Sequence, residues 1–393
     1  MHRARALSAF LVALALCGCG ASGEPLPPTV PEASTPLRAA ADCGSDCTAC
    51  ILASRTDILP FYRSNGWDTS CANRDNIIAN WCGIDPAGCN TQKTGPCAAA
   101  CRPAGSVVCG KLSGQALDAT TGFASLLRVC PRVVKWVAAG GSADYAAMQA
   151  FKASCPRSKT VLRIYGAAAY YATAQDMWNA RYAFLDRATA AQRAAIDLLE
   201  SDNEFDAGHG FTNPSDYNTF LKGFVTLAKS KGFHPLIGNI AVGNPPGDVD
   251  SCTGDGMLKF GAIVEAIAAA GAAGGGWAYH GYTPRWDKTS GFQEYYALRH
   301  RKLLRCYPAV ASVPLVLTEG GFDSGGDPNG SGYRKNGTPE QYVDWLAWFQ
   351  RQLAADASVV GVTLFAYGNG STWPSFQIDP IESQLENLIK TCP

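Results

Sequence analysis

Four acidic side chains and an amide fall within seven residues: Glu200, Asp202, Asn203, Glu204 and Asp206. They follow a mostly apolar run, 194–199, that reads as a buried strand. Carboxylates crowded at the end of a buried strand are unfavourable unless they are paired or put to use, because a charge taken out of water has to be matched or neutralised. A second stretch of the same design, 313–321, ends Thr318-Glu319-Gly320-Gly321. Two carboxyls brought together from separate strand ends can divide the work of hydrolysis. One stays protonated to release a leaving group and the other ionised to attack, provided unlike surroundings push their pKa values apart. Glu204 and Glu319 are the pair that these patterns single out.

The elements that must position this pair start at about residue 105, where short apolar runs begin to alternate with longer amphipathic stretches. Strands are expected at 106–112, 132–137, 160–165, 195–200, 234–242, 276–282, 313–319 and 359–367. Helices are expected at 144–153, 173–194, 215–231, 258–270, 293–305, 339–355 and 381–391. Strands alternating with helices imply a parallel sheet. Eight such units in 104–393 fit an α/β fold of the closed (β/α)8 TIM-barrel type. A doubly wound open sheet is the alternative, weakened by the lack of a G-x-G-x-x-G loop after the first strand. In a barrel the C-terminal strand ends share one mouth, so Glu204 and Glu319 would face each other there.

Asn203-Glu204 after the fourth strand and Thr318-Glu319 at the seventh resemble the large clan of retaining glycosidases built on (β/α)8 barrels. The resemblance covers about residues 105–393 and identifies no specific family. It implies that Glu204 is the general acid/base, that Asn203 binds a substrate hydroxyl, and that Glu319 is the nucleophile. It also implies that His280 and Tyr282, in Trp277-Ala-Tyr279-His280-Gly-Tyr282, bind substrate or orient the nucleophile. An aromatic at the mouth suits stacking on a sugar face, which makes Trp373 the first candidate platform and Trp286 the second. The expected activity is cleavage of O-glycosidic bonds in a β-linked poly- or oligosaccharide, with no cofactor and no metal site. The five histidines are scattered without ligand spacing. The alternative is a non-catalytic carbohydrate-binding or structural protein with a relict barrel. An acyl hydrolase is disfavoured by the absence of G-x-S-x-G.

Strand phase adds a further expectation. Alternate residues of a strand share a face, so Lys135, Arg163 and Glu200 would all point inward if Val133, Val161 and Glu204 do. Glu200 would then pair with Lys135, Arg163 or both beneath the catalytic layer. The alternative is that both cations reach outward to solvent. Arg163 is counted among the candidate substrate-site residues.

The chain opens with Met1-His-Arg-Ala-Arg5 and an apolar run, 6–16, which has the form of an export signal. Leu16-Cys17-Gly18-Cys19 resembles a bacterial lipoprotein signal. That resemblance implies lipidation of Cys19, a 1–19 signal peptide and a lipid anchor in the cell envelope; a plain secretory signal is the alternative. Residues 20–41, rich in Pro, Ala, Ser and Thr, read as a tether. Residues 42–103 hold eight of the sixteen cysteines and read as a small disulfide-rich module of open connectivity. Further along, Cys130 with Cys155 and Cys252 with Cys306 are candidate bridges, and Cys109 and Cys392 are left for each other or for the module. A net charge of zero without a basic cluster beyond the first residues argues against a nucleic-acid partner.

Overall fold

In the computed structural model the described residues are 50–52, 54–65, 74–85, 89, 92, 110–116, 123–139, 142–165, 171–205, 210–368 and 372–390. The proposed signal, Cys19, the tether, much of the cysteine-rich segment, Cys109 and Cys392 lie outside them.

Eight parallel strands close into a barrel in sequence order: β1 Leu112–Ala116, β2 Val133–Ala139, β3 Lys159–Tyr165, β4 Leu198–Glu200, β5 Pro235–Ile240, β6 Gly276–Thr283, β7 Leu315–Phe322 and β8 Val359–Tyr367. β1 closes the ring by pairing with both β2 and β8. Seven strands lie where the sequence pattern places them, with ends shifted by up to three residues. β1 lies further along, starting at Leu112. Its interior positions are Ser113 and Gln115, both buried, so the apolar signal that marks the other strands is missing there.

The helices of seven or more residues are α1 Ile58–Ser64, α2 Arg74–Ile84, α3 Phe123–Val129, α4 Tyr145–Ser154, α5 Pro214–Ser230, α6 Asp255–Gly261, α7 Val264–Ala272, α8 His300–Cys306, α9 Pro339–Ala354 and α10 Glu382–Lys390. α5 shows why these segments are helical. Pro214 sits in its first turn, where the missing N–H is harmless, and Tyr217, Phe220, Leu221, Phe224, Val225 and Ala228 form one buried stripe. α9 is capped by Thr338, whose hydroxyl accepts from the Gln341 N–H, and buries Tyr342, Trp345, Leu346, Phe349 and Leu353. Stripes of this kind pack on the outward faces of the strands in one continuous apolar layer.

The helix expected over 173–194 is instead broken. A π turn at Trp178–Tyr182 and a 3-10 turn at Ala183–Arg187 separate two short helical pieces. The wider turn aims the Tyr182 hydroxyl at the backbone carbonyls of Glu200 and Ser201, tying it to the end of β4. The helix expected over 293–305 also divides. A short helix ends at Gln293, the longer one runs His300–Cys306, and Arg299 between them turns its guanidinium onto the carbonyls of Asn244 and Pro245.

A separate small core of Ile51, Ile58, Tyr62, Ile77, Ile78 and Trp81 lies on α1, α2 and the turn preceding them. Cys82 is bridged to Cys89 beside it. On the barrel, Cys130–Cys155 and Cys252–Cys306 are disulfides, matching the two pairs expected from the helix ends. No helix among the described residues is long and apolar enough to cross a membrane.

Candidate active site

The barrel interior is stacked in two unlike layers. Val133, Val161, Leu198, Leu236, Ala278 and Val316, one from each of β2 to β7, form the lower, apolar ring. Two residues further along each strand, on the same face, stand Lys135, Arg163, Glu200, Gly238, His280 and Thr318. Four of these six can carry charge and none is exposed, so the layer has to balance its charges internally.

Glu319 takes its place through a bulge. β6 pairs Tyr279 with Leu317 and His280 with Glu319, which leaves Thr318 as the extra residue on β7. Thr318 and Glu319 are therefore both turned into the barrel, against the ordinary alternation. Thr318 donates to Asn239 Oδ1 at 2.8 Å. Glu319 Oε1 accepts from Arg163 Nη1 at 2.6 Å and from Lys135 Nζ at 3.3 Å. Its Oε2 accepts from the Tyr282 hydroxyl at 2.9 Å and lies 3.7 Å from His280 Nδ1. Burial alone would raise the Glu319 pKa. The positive charge of His280, Lys135 and Arg163, helped by the Tyr282 O–H, overrides it and holds the carboxyl far below its usual range. Glu319 is an anion at any physiological pH.

Glu204 meets the same histidine at the same nitrogen. Its Oε1 lies 2.7 Å from His280 Nδ1, and its side chain keeps 38% of its surface exposed against 10% for Glu319. The hydrogen bonds fix how the imidazole is protonated. Asn239 Nδ2 donates to the Asp202 carbonyl at 2.5 Å and to Asn203 Oδ1 at 3.3 Å, so Asn239 Oδ1 is the end that faces His280 Nε2 at 2.8 Å. An amide oxygen only accepts, and Nε2 therefore carries hydrogen. The two carboxyls therefore share one imidazole nitrogen but differ in exposure and in the cations around them.

Arg163 connects the two halves. The Nη1 that reaches Glu319 also donates to Asn203 Oδ1. Asn203 itself is exposed, and with its oxygen held by Arg163 and Asn239 the amide nitrogen is the end left for a ligand. Glu200 is fully buried and forms an ion pair with Lys135 at 3.0 Å, while Arg163 passes upward to Glu319. Asp202 belongs to neither set. It accepts from Ser201 and weakly from Tyr217, and burial, the main cause, pushes its pKa up to about 7.

One wall of the mouth is apolar, built from Tyr282, Phe365 and Phe376 with Trp373 packed edge-on against both phenylalanines. Trp373 thus belongs to the same apolar cluster as Tyr282. Trp286 stands elsewhere: its ring stacks on Phe322 at 4.1 Å between centroids and its N–H donates to the Asn336 carbonyl. It touches neither carboxylate.

Sequence reading did not single out Asn239 or Phe365, and placed Lys135 only against Glu200. Asn239 had a signal, since Gly238-Asn239 inside an apolar strand marks a bulge, and both residues have left-handed backbone. Phe365 reads as an ordinary core residue on β8, and only barrel closure shows that it lines the mouth. Asp323 follows β7 and has its pKa raised by burial first, then by Glu204 and Glu319. Among the described residues no group of three or more His, Cys, Asp or Glu side chains is placed to hold a metal ion.

No family model matches the chain, and no curated protein matches it in sequence. Among solved structures it is similar to the catalytic domain of a mannanase from Streptomyces sp. SirexAA-E, at 15% identity over 73% of this chain and 85% of that one, with a TM-score of 0.40. It is similar also to a β-mannanase from Streptomyces thermolilacinus, at 14% identity over 74% and 93%, with a TM-score of 0.42. A third is an endo-β-1,3-glucanase from Pseudomonas viridiflava, at 14% identity over 72% and 98%, with a TM-score of 0.43. These likenesses are distant, and the chemistry is argued from the site's own residues.

Proposed function

We propose that the chain is a retaining glycoside hydrolase acting on a β-linked poly- or oligosaccharide outside the cytoplasm. The observation that carries this reading is a pair of carboxyls, Glu204 and Glu319, brought to a single nitrogen, His280 Nδ1, in unlike environments. The nearest oxygens of the two carboxyls lie 2.7 and 3.7 Å from that one atom. Retention follows the likeness of the strand-end motifs to retaining glycosidases, whose carboxyls stand about 5–5.5 Å apart.

In the first step a Glu319 oxygen forms a bond to the anomeric carbon while the glycosidic C–O bond breaks. The leaving oxygen takes the proton held by Glu204. In the second step Glu204 removes a proton from water, whose oxygen bonds to the anomeric carbon as the carboxylate of Glu319 departs. Asn203 offers its amide to a sugar hydroxyl, and Phe365 with Trp373 supplies an apolar face for the ring. The β-linkage follows the likeness of the strand-end motifs to retaining glycosidases. Export is supported by three disulfides among the described residues, which persist in an oxidising compartment. Lipidation at Cys19 is part of the same reading, and incorporation of labelled palmitate that disappears in Cys19→Ala checks it.

Activity is tested on β-mannan, β-glucans and activated aryl β-glycosides. Glu319→Gln is expected to lower kcat by at least about a thousandfold. Glu204→Gln should lose polysaccharide hydrolysis but still release a good aryl leaving group, with azide restoring turnover as a β-glycosyl azide. Wild-type rates in Glu319→Gln would overturn the nucleophile assignment. A parent protein that binds these sugars without cleaving them would instead establish the non-catalytic reading.

A further inference from the structure

Glu319 is served by two buried cations, and one would satisfy the usual need of a carboxylate for a partner. Arg163 already contacts Oε1 at 2.6 Å, and the same Nη1 is also held by Asn203 Oδ1. Lys135 approaches the same oxygen from below, is entirely buried, and has a second anion, Glu200, at 3.0 Å. Burial of the Lys135–Glu200 pair is expensive, and apolar residues of similar volume would stabilise the barrel at least as well. Nothing in the packing of the lower ring, which is apolar throughout, calls for charge at this level.

We propose that Lys135 and Glu200 act as positioning residues for Glu319, a buried charge pair that sets the balance between the two halves of the reaction. The proposal rests on Glu319 being the nucleophile. In the resting site Lys135 and Arg163 are balanced by Glu200 and Glu319. In the first step Glu319 spends its negative charge in a bond to the anomeric carbon, as the leaving oxygen departs with the proton from Glu204. Two cations then face Glu200 alone. In the second step water bonds to the same carbon and gives its proton to Glu204, and the electron pair of the breaking ester bond returns to Glu319. That returning charge is drawn by the cations in direct contact with Oε1, Lys135 at 3.3 Å and Arg163 at 2.6 Å, in a layer where solvent does not screen them. Lys135 therefore favours the second step and holds back the first. Glu200 offsets Lys135, so that the resting carboxylate keeps enough electron density to attack.

The groups facing Glu319 are Lys135 from β2, Arg163 from β3, and His280 and Tyr282 from β6, with Glu204 and Asp323 within electrostatic reach. The test uses the full chain. Because Lys135→Met alone strands a buried carboxylate, the main variant is the charge-neutral pair Lys135→Met with Glu200→Leu. On an aryl glycoside that the parent hydrolyses, the double variant should slow the second step about tenfold relative to the first. The readouts are a burst of aryl alcohol equal to the enzyme present and a glycosyl adduct in the intact mass. Glu200→Gln should shift the partition the other way, with no burst. A parent-like partition in both variants, or equal slowing of both steps, assigns the pair to the scaffold and overturns the proposal.

A second arm needs no substrate. The acid midpoint of Glu319, read from the pH-dependence of unfolding with and without Glu319→Gln, should rise by about one pH unit in the double variant. An unmoved midpoint also overturns the proposal. A parent inactive on every glycoside would remove the nucleophile reading, and this titration would still decide whether the pair governs the charge on Glu319.

Discussion

Glu319 and Asp202 are both buried carboxyls, one on β7 and the other just after β4, yet their surroundings drive them in opposite directions. Two cations, a histidine and a phenol hold Glu319 ionised, whereas Asp202 has only hydroxyl donors and its pKa rises to about 7. The consequences for stability have opposite signs. Glu319 binds its proton less readily in the folded than in the unfolded chain, so the stability it contributes is complete above the ordinary glutamate pKa and fades as pH falls below it. Asp202 binds its proton more readily when folded, so stability is lost as pH rises from about 4 to about 7. Asp202→Asn keeps an acceptor for the Ser201 hydroxyl and should flatten that loss, by on the order of 3 kcal/mol at neutral pH. Urea unfolding at pH 4 and pH 8 measures it, and an unchanged difference between the two would show that Asp202 is ionised in the fold. At this scale the sequence showed which acids cluster, and the strand phase offered Lys135, Arg163 or both as partners for Glu200, of which Lys135 is the one found. It could not show that Asp202 turns outward to Ser201 and Tyr217, because phase ends where the strand does.

The elements decide which residues face the mouth, and they do so through irregularities. The bulge at Thr318 brings two successive β7 residues inward, and the left-handed pair Gly238-Asn239 aims an amide at His280. Period-two patterns find strands but are blind to such insertions, which is why Glu319 could be read from its motif and Asn239 was missed. β1 shows the complementary limit, since a strand whose inner face is Ser113 and Gln115 has no apolar period to read. Close approach between strands is also hidden in sequence. A Cβ on Gly275, just before β6, would lie 1.8 Å from the Pro235 carbonyl oxygen at the start of β5, and neither backbone has room to yield. Gly275→Ala should therefore destabilise by more than about 3 kcal/mol, read as a fall in the urea midpoint. The same change at Gly291, where a Cβ meets nothing within 4 Å, should be nearly silent.

Over the whole molecule, the described residues fall within one compact unit that holds two apolar cores, the barrel's and the small one around α1 and α2. Eight strands alternating with helices were enough to expect the closed sheet, because short right-handed connections between parallel strands leave few other arrangements. The Cys252–Cys306 bridge closes the longest loop among the disulfides described, with a sequence separation of 54. Replacing both cysteines with alanine should lower stability by about 4 kcal/mol if constraint of the unfolded chain is the main effect. Thermal unfolding with and without reductant provides the comparison. The fold also bears a local strain at its most chemical position. Glu204 has a φ of 53°, a backbone region that costs a side chain other than glycine or asparagine about 1–2 kcal/mol. Glu204→Gly would relieve that strain while removing the proposed proton donor, so the variant should be the more durable protein. It would also leave an opening beside His280 Nδ1 the size of a carboxylate. Formate or azide supplied from solution could occupy that opening, giving a catalyst that a small anion switches on and a washing step switches off.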